Sequence, residues 1–204
     1  YRLDKTITTM KQLSFILILT MLFLPIKGIS QISNGYHGSI EAGYSINPTG
    51  PTISVNWAEI NTIHGYQVNP YFFVGAGVGF HFLPEMKTSE IDGHAHWKRE
   101  TSTEIPIFAN FKWNVLKKKI TPFIDLRLGH YVTNNSGLYE SAGIGCRFAL
   151  KGSQSIYTLA SYTVSKFQFQ ESYMIDYGEY DYKWAYKDFD ESQNVVSIKV
   201  GYEF

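Results

Sequence analysis

The sequence is poor in cysteine and has no excess of charge of either sign. Cys146 is the single cysteine among 204 residues, so no intrachain disulfide, CxxC motif or zinc site of four cysteines can form. Basic and acidic residues number 18 each, and this balance gives no basic field that would attract nucleic acid. We therefore expect no redox chemistry, no cofactor and no nucleic-acid partner.

Long apolar runs are also scarce, and the one near the N-terminus has the layout of a secretory leader. Lys11 follows Met10, an apolar run spans residues 15–26, and small residues stand at Gly28 and Ser30. The run is shorter than the roughly 20 residues of a membrane-spanning helix, although a retained helical anchor is the alternative. No cysteine stands directly after it to carry a lipid. The sequence predicts an upstream extension over 1–9, a signal peptide over 10–30 cleaved after Ser30, and a mature domain over 31–204.

Beyond residue 31 no long segment has helical periodicity, and apolar residues alternate with polar or small ones instead. In residues 71–82, for example, Phe72, Val74 and Phe80 share one face, whereas glycines and His81 share the other. Glycine on the inner face of a narrow barrel gives bulky neighbours room. Eight such segments can be placed, at residues 36–46, 52–68, 71–82, 103–115, 120–132, 138–150, 156–167 and 195–204.

Two of the eight segments fit the alternation less well. Residues 52–68 change phase, which predicts a bulge near Glu59. Residues 156–167 alternate only loosely. The assignment of both segments as strands is therefore the least determined part of the pattern.

The connections between the segments alternate in length. Three are short, at residues 68–70, 116–119 and 150–155, and two on the opposite rim are long, at 83–102 and 168–194. Outer-membrane barrels have short periplasmic turns and longer external loops. The alternation predicts an all-β fold, an eight-stranded antiparallel up-and-down transmembrane β-barrel with its N-terminus on the periplasmic side.

The charged residues within the segments indicate which face is inside. A soluble sandwich or lipocalin-type barrel, the alternative, directs its apolar residues inward. Here the face opposite the apolar one carries charges of both signs, which can pair inside a narrow lumen while the apolar face contacts lipid. The predicted lumen charge network comprises Glu41, Glu104, Lys112, Asp125, Arg127, Arg147, Lys199 and Glu203.

Two stretches resemble a known family. Residues 195–204, which end on Phe204, resemble the final strand of outer-membrane barrels, and residues 64–80, with Pro70 and alternating glycines, are similar to the small outer-membrane β-barrel domains labelled porin-like. The resemblance covers roughly residues 36–204 and extends to eight-stranded OmpA- and OmpX-like barrels. It implies location in the outer membrane of a Gram-negative cell, contact with outer-membrane lipid and lipopolysaccharide, and recognition of Phe204 by the barrel-assembly machinery.

Candidate chemical sites are weak. Asp92, His94 and His96 place two imidazoles beside a carboxylate, but further ligands for a transition metal are missing. His81 and His130 lie near the predicted outer rim and could pair with a hydroxyl, for which the candidates are Ser89 and Ser136. Because no Ser-His-acid spacing supports such a site, we predict no metal ligand and no catalytic residue.

The longest external segment is aromatic and acidic. Its rings keep a period of two, which predicts that the last hairpin extends beyond the membrane as a ribbon turning near Gly178. Such a ribbon could contact a host or surface protein or a glycan; alternatively, the rings form the interfacial aromatic girdle. The predicted external binding residues are Tyr177, Tyr180, Tyr182, Trp184 and Tyr186.

These features favour a non-enzymatic outer-membrane protein with a lumen filled by side chains. Its role would be structural in the envelope, or surface binding and adhesion through external loops. The alternatives are a lipid-modifying enzyme at the outer rim and a small-solute porin. An eight-stranded barrel disfavours the porin, because its interior is about filled by side chains.

Overall fold

The computed structural model describes residues 34–48, 55–87, 90–91, 94–95, 97–133, 137–150, 152–176 and 182–204. The predicted extension, signal peptide and cleavage site lie outside these residues. Within the described parts of the chain, no helix is long and apolar enough to cross a membrane.

The described chain is built from β-strands. The first three are β1 (Gly35–Ile46), β2 (Trp57–Gln67) and β3 (Phe72–Leu83). Five short strands follow: β4 (Met86–Lys87), β5 (Glu90–Ile91), β6 (His94–Ala95), β7 (Trp97–Arg99) and β8 (Ser102–Glu104). The last five are β9 (Pro106–Asn114), β10 (Ile120–Tyr131), β11 (Leu138–Ala149), β12 (Ser155–Asp176) and β13 (Tyr182–Glu203).

Eight of the strands form a closed antiparallel ring. Each pairs with the next in the order β1, β2, β3, β9, β10, β11, β12 and β13. Pairing of β13 with β1, from Ser39 opposite Glu203 to Ile46 opposite Val196, closes the ring. Closure leaves no unpaired edge in the wall. The eight-stranded up-and-down barrel predicted from the sequence is confirmed.

The wall has an apolar outer face and a polar inner face. Strand β9 alternates without exception, from buried Pro106 through exposed Ile107 to buried Asn114. Large apolar side chains stand exposed on every strand of the wall, and examples are Ile40, Tyr44, Ile60, Val74, Phe80, Phe111, Leu126, Leu128, Ile144, Tyr162, Ile198 and Val200. An apolar surface that encircles the molecule far exceeds the patches that soluble monomers expose, and it matches the lipid-facing band of a membrane barrel.

The predicted bulge near Glu59 is wrong. Strand β2 pairs with β1 without interruption, and Glu59 lies opposite Gly43 in an unbroken register. The apparent phase change arises because Ile63 faces the lumen, 1% exposed, while Thr62 faces outward. Because a polar residue faces outward and an apolar residue faces inward at these positions, the sequence pattern resembles a shift of register. The pairing of the backbone is nevertheless continuous.

Strand β12 also alternates more regularly than its sequence does. Its odd-numbered residues from Ser155 to Phe169 are all buried, and its even-numbered ones are exposed or half-buried. The inward set includes Tyr157, Leu159 and Phe167. The sequence pattern is loose because part of the lumen is filled by rings and aliphatic side chains.

Glycines on the inner face leave space for these rings. A Cβ atom added at Gly77 would lie 2.5 Å from the ring of Phe108, and one added at Gly201 would overlap the ring of Tyr157. At both glycines the distance from the added Cβ atom to the ring is shorter than van der Waals contact permits. The inner glycines therefore allow the large side chains to fill the lumen.

The two rims differ as the connection lengths predict. Short connections join β2 to β3, β9 to β10 and β11 to β12 at one rim, and the longer ones lie at the other. There β12 and β13 continue past the barrel, from Lys166 opposite Ser192 to Asp176 opposite Tyr182. The predicted ribbon is confirmed, and its turn near Gly178 lies outside the described residues.

The ribbon is one half of a larger external sheet. Strand β7 pairs with β12 through Lys98 opposite Gln170, and β4 pairs with β7 through Met86 opposite Arg99. The strand order is β13, β12, β7, β4. We call this four-stranded unit beyond the barrel the external sheet.

Candidate functional site: the lumen and the external sheet

Near the periplasmic rim, the lumen is crossed by an ion cluster around Glu203. Its carboxylate accepts from Lys112 Nζ at 2.8 Å on one oxygen and from Arg147 Nε at 2.5 Å on the other. Ser155 Oγ donates to the second oxygen at 2.5 Å. The cluster joins strands from opposite sides of the ring, because Lys112 is on β9 and Glu203 on β13. It therefore ties the wall together across the lumen.

The middle of the lumen is occupied by a cluster around Arg127. The guanidinium donates to both oxygens of Glu41, at 2.5 and 3.0 Å, and Nε donates to Asp125 at 2.6 Å. Glu41 also accepts from Tyr157 Oη at 2.8 Å and from Asn61 Nδ2 at 2.9 Å. A bidentate arginine–carboxylate pair with its remaining lone pairs satisfied is the geometry in which a buried ion pair is tolerated.

A third cluster surrounds Glu59, which the sequence interpretation did not include in the network. Its carboxylate lies 3.0 Å from Lys199 Nζ and 3.4 Å from His81 Nε2. Ser45 and Asn61 donate to it at 2.8 and 2.9 Å. The assumed bulge hid Glu59, although its odd position in phase with Asn61 and Ile63 is the signal that identifies it.

The fourth cluster lies at the external mouth and joins Glu104 to Arg99 on β7. Arg99 Nη2 donates to Glu104 at 2.7 Å, and Thr133 donates to the other carboxylate oxygen. The guanidinium also lies over the rings of Phe167 and Phe169, 5.0 and 5.6 Å from their centroids. Burial lowers the pKa of this guanidinium, and the charge of Glu104 opposes that shift. The pair holds the segment after β4 against the mouth of the barrel.

The four clusters bring together all eight residues of the predicted network, and they balance in charge. Each of the eight is buried, with at most 8% of its surface exposed. With Glu59 and Arg99 added, five carboxylates face five cations. These ten groups carry no net charge when all are ionised, and their ion pairs hold the side chains in place.

Aromatic rings fill the lumen above the middle cluster. Trp57, Phe108, Tyr131, Tyr139 and Phe167 are at most 2% exposed. Their ring centroids lie 5.2 to 5.8 Å apart in edge-on or tilted contacts. Edge-on contacts at such distances are favourable between aromatic rings. Rings and ion clusters together occupy the lumen along the described strands.

The two histidines considered for catalysis lie on opposite sides of the wall. His81 is 1% exposed inside the lumen, where it stacks on Trp57 and lies 3.0 Å from Tyr131 Oη. His130 is exposed on the outer face, and its Nδ1 lies 2.8 Å from the carbonyl oxygen of Tyr131. They cannot share a site, and Ser89 and Ser136 lie outside the described residues.

The candidate metal ligands fall mostly outside the described residues. Asp92 and His96 lie outside the described residues, and for His94 only the β6 backbone is described. Among the residues with described side chains, no group of three histidine, cysteine, aspartate or glutamate residues is arranged to hold a metal ion.

The predicted external binding residues fall on or next to the ribbon. Tyr186 is 39% exposed, with Lys98 Nζ 3.8 Å from its ring centroid, and Trp184 is half-buried two residues along the same face. The backbone of Tyr182 begins β13, whereas Tyr177 and Tyr180 lie outside the described residues. Tyr186 stands seven residue pairs beyond the last β11 contact, roughly 20 Å along the ribbon. That is too far for the interfacial girdle.

Phe204 lies at the seam where the ring closes. Its backbone exchanges hydrogen bonds with Gly38, at 3.1 and 2.9 Å. Its ring covers Gly38, where a Cβ atom would lie 2.6 Å away, and meets His64 edge-on at 6.4 Å. The residue therefore packs on the outer face of the first two strands. Its recognition by the assembly machinery remains a prediction.

A closed antiparallel ring with a lipid-compatible outer wall and paired charges inside is a transmembrane β-barrel. Its even strand number, short turns at one rim and extended loops at the other are those of bacterial outer-membrane barrels. The chain is an outer-membrane β-barrel protein, and the predicted fold class and location are confirmed.

Comparison with solved structures finds similarity to a major outer membrane protein from Thermus thermophilus. The identity is 14% and the TM-score 0.44, over 83% of this chain and 99% of that one. Similarity is also found to the β domain of the Bordetella autotransporter BrkA, with 11% identity and a TM-score of 0.30, over 84% of this chain and 99% of that one. No family model and no curated protein matches the chain.

Proposed function

We propose that this protein is a non-conducting, non-enzymatic outer-membrane barrel that binds extracellular surfaces through its external sheet. The observation that carries the proposal is the continuation of β12 and β13 past the barrel, by roughly 35 Å at about 3.3 Å per residue. A ribbon of this length serves no purpose in spanning the bilayer, because 9 to 11 residues per strand suffice for that.

The base of the ribbon is packed in a way that supports a fixed presentation. Phe167 and Phe169 are each 1% exposed, and Trp97 of β7 meets Phe189 edge-on at 5.2 Å. Beyond this base Tyr173, Met174 and Tyr186 are exposed. Rigid elements that display aromatic side chains are suited to binding, since the rings supply contact area with little loss of rotamer freedom.

A ribbon deletion tests the proposal. Residues 170–188 are replaced by Asn-Gly, which joins Phe169 to Phe189, already cross-strand partners, through a favoured two-residue turn. Cells that display the intact protein are expected to be retained on a mucin-coated surface, and cells with the shortened protein are not. Equal retention of both, at equal surface amounts of heat-modifiable folded barrel, would refute the proposal.

A further inference from the structure

A polar cavity of about 450 Å³ lies where β7 leaves the ribbon at the external mouth of the barrel. Its walls come from the end of β7 and the turn after it, together with the facing residues of β12 and β13. The lining residues used below are Lys98, Arg99, Ser102, Gln168, Gln170 and Asp188. These segments lie beyond the barrel at the rim opposite the short turns, so the cavity is on the extracellular side.

One wall of the cavity is a row of polar side chains across three strands. Asp188 on β13 lies opposite Gln170 on β12, and Gln170 lies opposite Lys98 on β7. Gln170 Nε2 donates to Asp188 Oδ1 at 2.9 Å. A carboxylate has several lone pairs, and an amide has both donor and acceptor atoms. The row can therefore accept from and donate to neighbouring hydroxyl groups at once.

The other wall contains a buried donor that the described residues leave without a hydrogen-bond partner. Arg99 is 5% exposed, and its Nη1 and Nη2 donate to Gln168 O, Ser102 and Glu104 at 2.7 to 2.9 Å. Its Nε has no hydrogen-bond partner among the described residues. Buried N–H groups in native proteins nearly always have a partner. An oxygen atom of a bound molecule would supply one.

Aromatic rings complete the surroundings. Phe169 lines the cavity but is 1% exposed, so the accessible ring next to the cavity is that of Tyr186, which is 39% exposed and has Lys98 Nζ 3.8 Å from its ring centroid. Planar polar side chains that fix orientation, set beside an apolar ring face, suit a ligand with many hydroxyl groups and one apolar face. A pyranose ring has that chemistry. We infer that the cavity binds a saccharide unit of a cell-surface glycan, which names the ligand class for the surface binding proposed above and rests on it.

The charges of the lining distinguish a saccharide from a simple anion. The positive charge of Arg99 is already paired with Glu104, which leaves Lys98 as the other cation of the lining, against the two carboxylates Glu100 and Asp188. A phosphate or sulfate would therefore meet more negative than positive charge in the lining. A neutral hydroxyl-rich ligand meets no such repulsion, because carboxylates accept hydrogen bonds from hydroxyls.

A matched pair of substitutions tests this inference on the full-length protein folded in detergent. Asp188→Ala removes an acceptor from the cavity, whereas Asp190→Ala makes the same change two residues away, where Asp190 only pairs with exposed Lys166 at 3.1 Å. A printed glycan array identifies the saccharides bound by the intact protein, and titration gives the affinities. We expect D188A to bind at least tenfold more weakly and D190A to bind within twofold of the intact protein.

Two versions of the binding experiment distinguish the possible sources of the saccharide. One uses deacylated core oligosaccharide of lipopolysaccharide, and the other uses soluble glycans from the array. Preference for the first assigns the cavity to the cell's own envelope, and preference for the second assigns it to a foreign surface; either supports the inference.

Absence of saccharide binding at millimolar concentration, or equal affinity of D188A and the intact protein, would overturn the inference. Loss of mucin retention on ribbon deletion together with full retention by D188A would leave the proposed surface binding standing while the cavity inference fails. Undiminished retention of the ribbon deletion would count against the surface function itself.

Discussion

At the scale of single residues, the lumen charges show why the polar face of the wall is tolerated inside a membrane protein. Arg127 illustrates the rule, since one guanidinium serves the two carboxylates of Glu41 and Asp125 while tyrosine and asparagine side chains satisfy the rest of Glu41. An ion buried without such partners is strongly unfavourable. Each charge in the network therefore depends on the presence of its partner.

Removal of Arg127 tests this dependence. Arg127→Met leaves Glu41 and Asp125 buried without their cation, so we expect the free energy of unfolding to fall by about 3–5 kcal/mol. Urea titration of the barrel folded in lipid vesicles measures the change. Lys166→Met is the control, because its pair with Asp190 is about half exposed and such surface pairs contribute less than about 1 kcal/mol. Equal losses in the two variants would contradict the account.

Single residues also mark the limit of what the sequence could predict. The eight network charges were identified because seven of them stand between two apolar neighbours and the eighth, Glu104, precedes Ile105. Glu59 was missed because the apolar residues Ile63 and Trp57 share its inward face. In this strand the polarity of a residue therefore does not indicate whether it faces the lumen or the lipid. Arg99 could not be found from alternation, since β7 lies outside the wall and its partner Glu104 is reached only by the folding back of the external segment.

At the scale of the strands, length and period predicted the architecture well. All eight wall strands overlap the predicted segments, including the two in which the alternation is weak, and the extension of the last hairpin follows from rings that continue the period. What failed was the simple rule of polar inside and apolar outside. In β12 the inward face carries Tyr157, Leu159 and Phe167. The lumen needs large side chains to fill its space, in addition to charged side chains that neutralise one another. The attachment of β7 to the ribbon carried no sequence signal.

Trp97 holds the external sheet together in this account. Its ring packs edge-on against Phe189, so Trp97→Ala is expected to detach β7 from the ribbon and to raise the rate of external protease cleavage between β4 and β8 at least tenfold. The barrel midpoint in urea should stay unchanged, because the wall ladders are not involved. Trp184→Ala, further along the ribbon, serves as the control. Unchanged cleavage in the Trp97 variant would show that β7 is held by other contacts.

At the scale of the whole molecule, the protein is a closed wall around a packed, neutral interior. Five carboxylates and five cations pair across the lumen, and aromatic rings occupy the space above them. An eight-stranded ring leaves an interior that side chains can fill. The described residues therefore form a lipid-compatible exterior, a filled lumen and an external sheet.

The packed interior predicts that the barrel does not conduct. In planar bilayers the purified protein should give no steady unitary conductance at 1 M salt, since ion pairs that satisfy one another leave no hydrated passage. A wide-lumen porin is the positive control. Stable conductance steps of uniform size would contradict the closed lumen and favour the porin alternative.

Oxygen accessibility along β9 tests the central claim most directly. In a Cys146→Ser background, spin labels are placed one at a time at residues 106–114 and measured in lipid vesicles by electron paramagnetic resonance. Labels at the outward positions Ile107, Ala109, Phe111 and Trp113 should collide with dissolved oxygen and not with a water-soluble nickel complex, and labels at the inward positions should be immobile and reached by neither. Access of the nickel complex to the outward positions, or the loss of the period of two, would contradict a wall that faces hydrocarbon outside and packed ion pairs within.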